Sequence, residues 1–136
     1  MENLNLLFVP KEGDTKPTYC SFTPESKEES ARLYRAMTNP DHKISDCINQ
    51  EIDLVDVFVE MVEMTNDESG EVTHVPRCVL FAADGQTYAA TSNGICNALR
   101  RLIMVFGTPT WIDPIRVAIR QIQIGSRRCY TLDVIC

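Results

Sequence analysis

The sequence predicts a mainly β fold: five strands curled into a barrel, one helix between the third and fourth, and an N-terminal extension with a short helix of its own. Three observations predict it. Asp84-Gly85 lies between two β-rich runs, Val79–Ala83 and Thr87–Thr91, and glycine reaches the positive φ that a two-residue hairpin turn requires. An apolar stripe at helical spacing follows at once, with Ser92 or Asn93 as its cap and Gly107-Thr108-Pro109 as its stop. On either side of this unit, from Leu54 and from Ile115, hydrophobicity repeats every second residue.

Residues 1–22 read as an extended arm or edge strand, in which Leu4, Leu6 and Phe8 alternate before Pro10, Gly13 and Pro17 interrupt. Thr23-Pro24 reads as N-cap and first helical residue, with Glu25, Glu28 and Glu29 favouring the positive end of the helix dipole. Ala31, Tyr34 and Met37 follow at helical spacing, and Asn39-Pro40 ends the helix. Residues 44–52 have room for a further helical turn. From Leu54, Val55, Val57, Val59 and Met61 point one way and Asp56, Phe58 and Glu60 the other. Residues 65–71 are a polar loop, 75–83 the second strand and 86–91 the third. The helix over 93–106 presents Ile95, Leu99, Leu102 and Phe106, widened by Ala98 and Ile103. Past Pro114, Ile115, Val117 and Ile119 oppose Arg116, Ala118 and Arg120; Gly125-Ser126 turns the chain; and Arg128, Tyr130, Leu132 and Val134 share one face of the last strand.

Three meandering strands, a helix and a final hairpin is the chain order of the oligonucleotide/oligosaccharide-binding (OB) fold, whose helix plugs the barrel. A ubiquitin-like or small α+β roll is the alternative. The chain divides into residues 1–45, arm and helix, and residues 46–136, the OB-fold-like domain, which together make one compact unit.

At 136 residues and 44% hydrophobic content the chain suits one modest core, and no apolar run approaches the roughly 20 residues that span a bilayer. The N-terminus, MENLNLLFVP, lacks the basic region of a secretory signal, so a cytoplasmic location is expected. Six cysteines without CxxC spacing, and only two histidines, point to reduced thiols rather than zinc or a disulfide framework. Charge is divided: residues 1–76 hold 16 acidic and 6 basic residues, and residues 77–136 hold 3 acidic and 7 basic, all arginine. Arginine forks onto phosphate and stacks on flat rings, although arginines also serve as solubilising surface.

No catalytic constellation is visible: there is no GxGxxG, no Walker A loop and no GxSxG elbow. Asp53 and Asp56 fall on opposite faces of an alternating strand and read as a solvated acidic edge. What remains is a binding surface of aromatics and cations. Phe58, between Asp56 and Glu60, either stacks a base or packs under the arm or the 24–38 helix. Phe81 shares a strand face with Arg77 and is either platform or core. Tyr88, after the Asp-Gly turn, reads as exposed. Trp111 reads as a lid over the barrel end. Arg116, Arg120, Arg127 and Arg128 line up to track a backbone.

The run from Val55 to the C-terminus also resembles the small single-stranded DNA-binding proteins of tailed bacteriophages of Gram-positive bacteria. The resemblance rests on VEMTNDESGE, on FAADG followed by a tyrosine strand, on GICNALRRLIMVFG, and on TPTW with the basic hairpin, over about the last 90 residues. It implies an OB-fold that coats single-stranded viral DNA during replication, with Phe58, Tyr88 and the late arginines carried over as contacts. Many such proteins end in a flexible acidic tail, whereas this sequence reads LDVIC as part of a strand.

The expectation is therefore a non-catalytic, sequence-tolerant DNA-binding protein that uses no cofactor and no metal. Its partners would be single-stranded DNA and, beside it, replication proteins and further copies of the chain, with no membrane. The competing reading is a phage-encoded interaction module, an inhibitor or adaptor of a host protein that uses the acidic first half as a mimic of nucleic-acid charge. A small hydrolase is the weakest reading, since no nucleophile–base pair is apparent.

Overall fold

The computed structural model describes residues 18–135. The alternating runs become long strands: β3 (Glu51–Thr65), β4 (Val72–Ala82), β5 (Thr87–Thr91), β6 (Ile115–Ile124) and β7 (Arg127–Val134). Two short strands join them, β1 (Thr18–Cys20) and β2 (His42–Lys43), with helices α1 (Lys27–Thr38) and α2 (Asn93–Phe106). All seven strands form one sheet in the order β2-β5-β4-β3-β6-β7, with β1 on β3. The molecule is thus mainly β, a curled sheet left open as a half-barrel, with two helices. The alternation proposed for Leu4, Leu6 and Phe8 lies outside the described residues, whereas β1, at the end of that arm, is a strand paired with β3 over Glu60–Phe58.

The turns follow from their glycines. Gly85 takes φ 90° in the β4–β5 connection, where its amide reaches Ala82 O at 3.0 Å. Ser92 caps α2 by accepting from Ile95 N at 3.1 Å, and Gly107 ends it at φ 86°. Helix α1 starts later than Thr23-Pro24 suggests. Its cap is Ser26, which accepts from Glu29 N, while the Glu29 carboxylate accepts from Glu25 N at 2.6 Å. Ser26 and Glu29 stand at the S-x-x-E spacing, and two satisfied amides outweigh one well-placed proline. The later start also leaves Phe22 free to pack edge-on against Phe81, with ring centres 5.3 Å apart. The face that α1 turns to the sheet is Leu33, Ala36 and Met37, so Ala31 and Tyr34 are exposed. In the stretch given to a helical turn, only Ile44–Asp46 is helical, as a 3₁₀ turn, and β3 has begun by Glu51.

Strand β3 is the axis of the sheet. One edge pairs with β4 along most of its length, and the other is divided between β6 at Glu51–Leu54 and β1 at Phe58–Glu60. Between these partners the register slips by one residue at Leu54–Asp56. This bulge overturns the simple alternation. Ile52, Leu54, Val57 and Val59 all enter the main core, and Val55 falls on the opposite face. Asp53 and Asp56 therefore share that opposite face, yet they are held apart by different partners.

Asp56 itself is buried. It accepts from Ser21 Oγ at 2.7 Å and Thr110 Oγ1 at 2.5 Å, while Ser21 Oγ in turn accepts from Val57 N at 2.9 Å. Backbone bonds complete the join: Ser21 N reaches Val57 O at 3.0 Å, and Trp111 N reaches Val55 O at 2.9 Å. One carboxylate thus ties together β1, the bulge and the loop after α2.

The sheet buries both faces. The main core joins β3, β4 and β6 to α2 through Leu54, Val57, Leu80, Leu99 and Ile119, with Trp111 closing it. The Trp111 indole N–H donates to Gly107 O at 3.1 Å, so the tryptophan is the structural lid expected of it. A smaller core under α1 holds Phe58, Val79, Phe81, Ala36 and Ala89. Helix α2 buries Ile95, Cys96, Leu99, Leu102 and Ile103, but Phe106 in its last turn is half exposed. At its other end α2 meets β7 closely: a Cβ on Gly94 would collide with the Tyr130 carbonyl oxygen. Cys47, Cys78 and Cys96 are buried and reduced, and the neighbouring Cys96 thiol, with burial, pushes Cys78 up.

Two stability measurements check this account. Asp56→Ala strands two hydroxyls at the bulge and is expected to cost about 2–4 kcal/mol in urea unfolding, with Asp56→Asn costing less because it keeps an acceptor. Gly94→Ala forces α2 off β7 and is expected to cost about 1–3 kcal/mol.

Candidate nucleic-acid interface

The curl of the sheet brings β5 and β7 toward each other without pairing them, and a cleft of about 510 Å³ lies at this seam. Its floor is Ala89, Ala90 and Thr91 on β5, its far wall Tyr130 on β7, and its cations Lys43 on β2 and Arg77 on β4. Small side chains on the floor are what open it.

Local chemistry fixes each contributor. Strand β2 runs parallel to β5, pairing His42 with Tyr88 and Lys43 with Ala89. The Asp41 carboxylate holds it there by accepting from Thr87 N at 2.9 Å and Thr87 Oγ1 at 3.2 Å. His42 stacks on Tyr88 at 4.8 Å and bonds Gln86 at 2.8 Å. Lys43, next in the chain, is exposed at the mouth. Arg77 sits across from Glu60 on β3 and Thr91 on β5. Its Nη1 is 3.9 Å from Glu60 Oε1, at the limit of an ion pair, and is buried with no hydrogen-bond partner. A buried guanidinium nitrogen left without a hydrogen bond is costly. Tyr130 is half-buried, its backbone beside Gly94; it packs against the main core and lines the cleft. Arg128 is two residues away on the same face of β7, hence about 7 Å along the strand. Asn39 lines both this cleft and a second of about 530 Å³ that holds Arg32 and Arg35 of α1. The two clefts thus adjoin at Asn39, with Arg32, Arg35 and Asp41 in one and Lys43, Arg77 and Tyr130 in the other.

Of the residues singled out from sequence, the structure places only Arg77 in the cleft, with Arg128 beside it. Phe58 and Phe81 lie in the core under α1, 5% and 0% exposed, so the packing alternative holds for both and neither offers a ring face. The cation near Phe81 is Arg32, 5.4 Å above its ring, rather than Arg77. Tyr88 is also inside, at 3% exposure, where burial pushes its phenol up and its oxygen accepts from Gln50 Nε2 at 3.0 Å. Arg116 forks onto Asp53 at 3.0 and 3.2 Å, and this bond holds the Asp53 carboxyl below its ordinary value. Arg120 bonds Asn49 at 2.9 Å and lies 3.6 Å from Asp133. These two arginines are already matched by protein oxygens. Arg127 and Arg128 extend from the β6–β7 hairpin, and among the described residues neither has a carboxylate partner.

Lys43, Arg32, Arg35 and Tyr130 were missed from sequence. The three cations stand in the acidic half, and Tyr130 was assigned to a strand face without a role. No group of three or more His, Cys, Asp or Glu suited to a metal occurs among the described residues. No helix among them is long and apolar enough to cross a membrane.

Comparison with known families matches residues 12–134 to the family described as Phage Single-stranded DNA-binding protein. No curated protein and no solved structure matches the chain.

The burial of Phe58 reverses what its sequence neighbours suggested. Phe58→Ala is expected to cost about 3–5 kcal/mol of stability, and Phe58→Leu less. The folded Phe58→Leu protein is expected to hold a single-stranded oligonucleotide within twofold of the parent, as read by unfolding curves beside a binding isotherm.

Proposed function

The chain belongs to the family of phage single-stranded DNA-binding proteins, and from that premise we propose that it coats single-stranded DNA during phage replication in the host cytoplasm, without catalysis, holding the strand in the seam between β5 and β7. The observation that carries this reading is that Arg77, whose Nη1 has no hydrogen bond, lines one cleft with Lys43 and Tyr130. Phosphates pair with Arg77, Lys43 and Arg128, and a base stacks on Tyr130. Both interactions ignore base identity, because every nucleotide has a phosphate and a π-face. The fold is OB-like in this reading, with β3, β4 and β5 as the meander, β6 and β7 as the closing hairpin, and α2 as the helix between them.

The net charge of −6 is no obstacle. Among the described residues no acidic side chain lines the cleft, and those at the tip of the β3–β4 hairpin repel the strand from that end of the sheet. A rigid duplex, whose bases are already stacked, cannot present one to Tyr130.

Titration of labelled oligo-dT across salt tests the proposal. With three phosphates neutralised, log K is expected to fall with log salt at a slope of about −2, and Arg77→Gln to flatten it by about 0.7. Tyr130→Ala is expected to weaken binding by about 1–3 kcal/mol. A duplex control binds far more weakly. Salt-insensitive binding, or none at low salt, would sink the reading.

A further inference from the structure

We propose that copies of this chain associate head to tail, the acidic β3–β4 hairpin of one copy docking into an arginine-flanked apolar groove between α2 and the β6–β7 hairpin of the next. The groove holds about 670 Å³. One wall is Val105 and Phe106 of α2, and the other is Ile122, Ile124 and Val134. Val105 is 73% and Ile124 62% exposed, a contiguous apolar surface of the kind that marks a docking site on a soluble domain. Arg101 lines the groove, and Arg127 stands directly across the ladder from Ile124.

The occupant is chosen by charge and shape. The tip of the β3–β4 hairpin carries Asp67, Glu68 and Glu71, with no Lys or Arg between Glu60 and Pro76. Below the tip, Met64 and Val72 are about half exposed. Met64 pairs with Thr73 and Thr65 with Val72, so the two apolar side chains lie on opposite faces of the ribbon. The ribbon is therefore a wedge, apolar on both faces and negative at the end, and the groove has two apolar walls with positive charge beside them.

Geometry forbids the two from meeting within one molecule. Ala118 pairs with Glu51, so β6 runs on past the start of β3 and its turn projects from that end of the sheet. The 66–71 turn projects from the other end. Hairpin and groove are different surfaces at opposite ends, so their contact is heterologous and carries assembly past a dimer, to a ring or an open row according to the rotation between copies.

Sedimentation velocity of the full chain without DNA tests this, and its outcome is independent of the DNA-binding reading. Average mass is expected to rise with concentration beyond a dimer, and to fall with salt. Ile124→Asp in the groove and Met64→Asp in the hairpin are each expected to weaken association at least about tenfold, or 1.4 kcal/mol. Mixed in equal amounts, the two variants are expected to form a one-to-one complex and go no further, since only one intact hairpin and one intact groove remain. Arg101→Glu combined with Glu68→Arg in one chain restores what either alone weakens. The proposal is overturned if the parent chain stays monomeric, if only one of the two surfaces affects association, or if the mixed variants do not combine.

Discussion

The structure depends on how β3 changes partners midway. A strand whose edge passes from β6 to β1 must leave backbone groups unpaired at the changeover, and unpaired groups near a core are costly. The bulge at Leu54–Asp56 meets that cost by replacing ladder bonds with specific ones: Val55 O takes Trp111 N, Val57 O takes Ser21 N, and the Asp56 carboxylate holds the Ser21 and Thr110 hydroxyls. The loop fixed in this way leads straight into β6, and Trp111 within it seals the main core. The curl of the sheet, and hence the approach of β5 to β7, follows from this junction.

The same junction explains where the aromatics go. With Val57 and Val59 committed to the main core, Phe58 must face the other side of the sheet. That side is roofed by α1 through Leu33, Ala36 and Met37. Burial of a phenylalanine there contributes about 2–3 kcal/mol, more than an exposed ring gains while waiting for a base. In the proposed reading, recognition falls to groups that are costly to bury, the guanidinium of Arg77 and the ammonium of Lys43, and to Tyr130, which both packs on the main core and lines the cleft.

The sequence was legible where a local rule decides. Gly85, Gly107 and Gly125 mark turns because the backbone there needs positive φ. Ser92 caps α2, and alternation in β6 and β7 places Ile115, Val117 and Ile119 inward. It was illegible where distant segments decide. A single bulged residue inverts Val55, and nothing between Leu54 and Val57 announces it. Asp56 and Glu60 made Phe58 look solvated because the covering helix is a separate element, closed over it by tertiary packing. Arg116 and Arg120 look free in a linear reading, since Asp53 and Asn49 meet them only through the β3–β6 ladder and the loop before it. Lys43 and Tyr130 come together only because the sheet curls, and the charge division between the two halves of the chain concealed their proximity.

The unpaired seam between β5 and β7 has a topological consequence. A fully closed barrel with a central hole accepts a polymer only by its end, whereas a slot open along its length accepts one from the side. Single-stranded DNA exposed between two duplex segments has no end to offer. If the proposed grip through this lateral slot holds, the protein mounts and dismounts anywhere along the strand, without being threaded on or off an end.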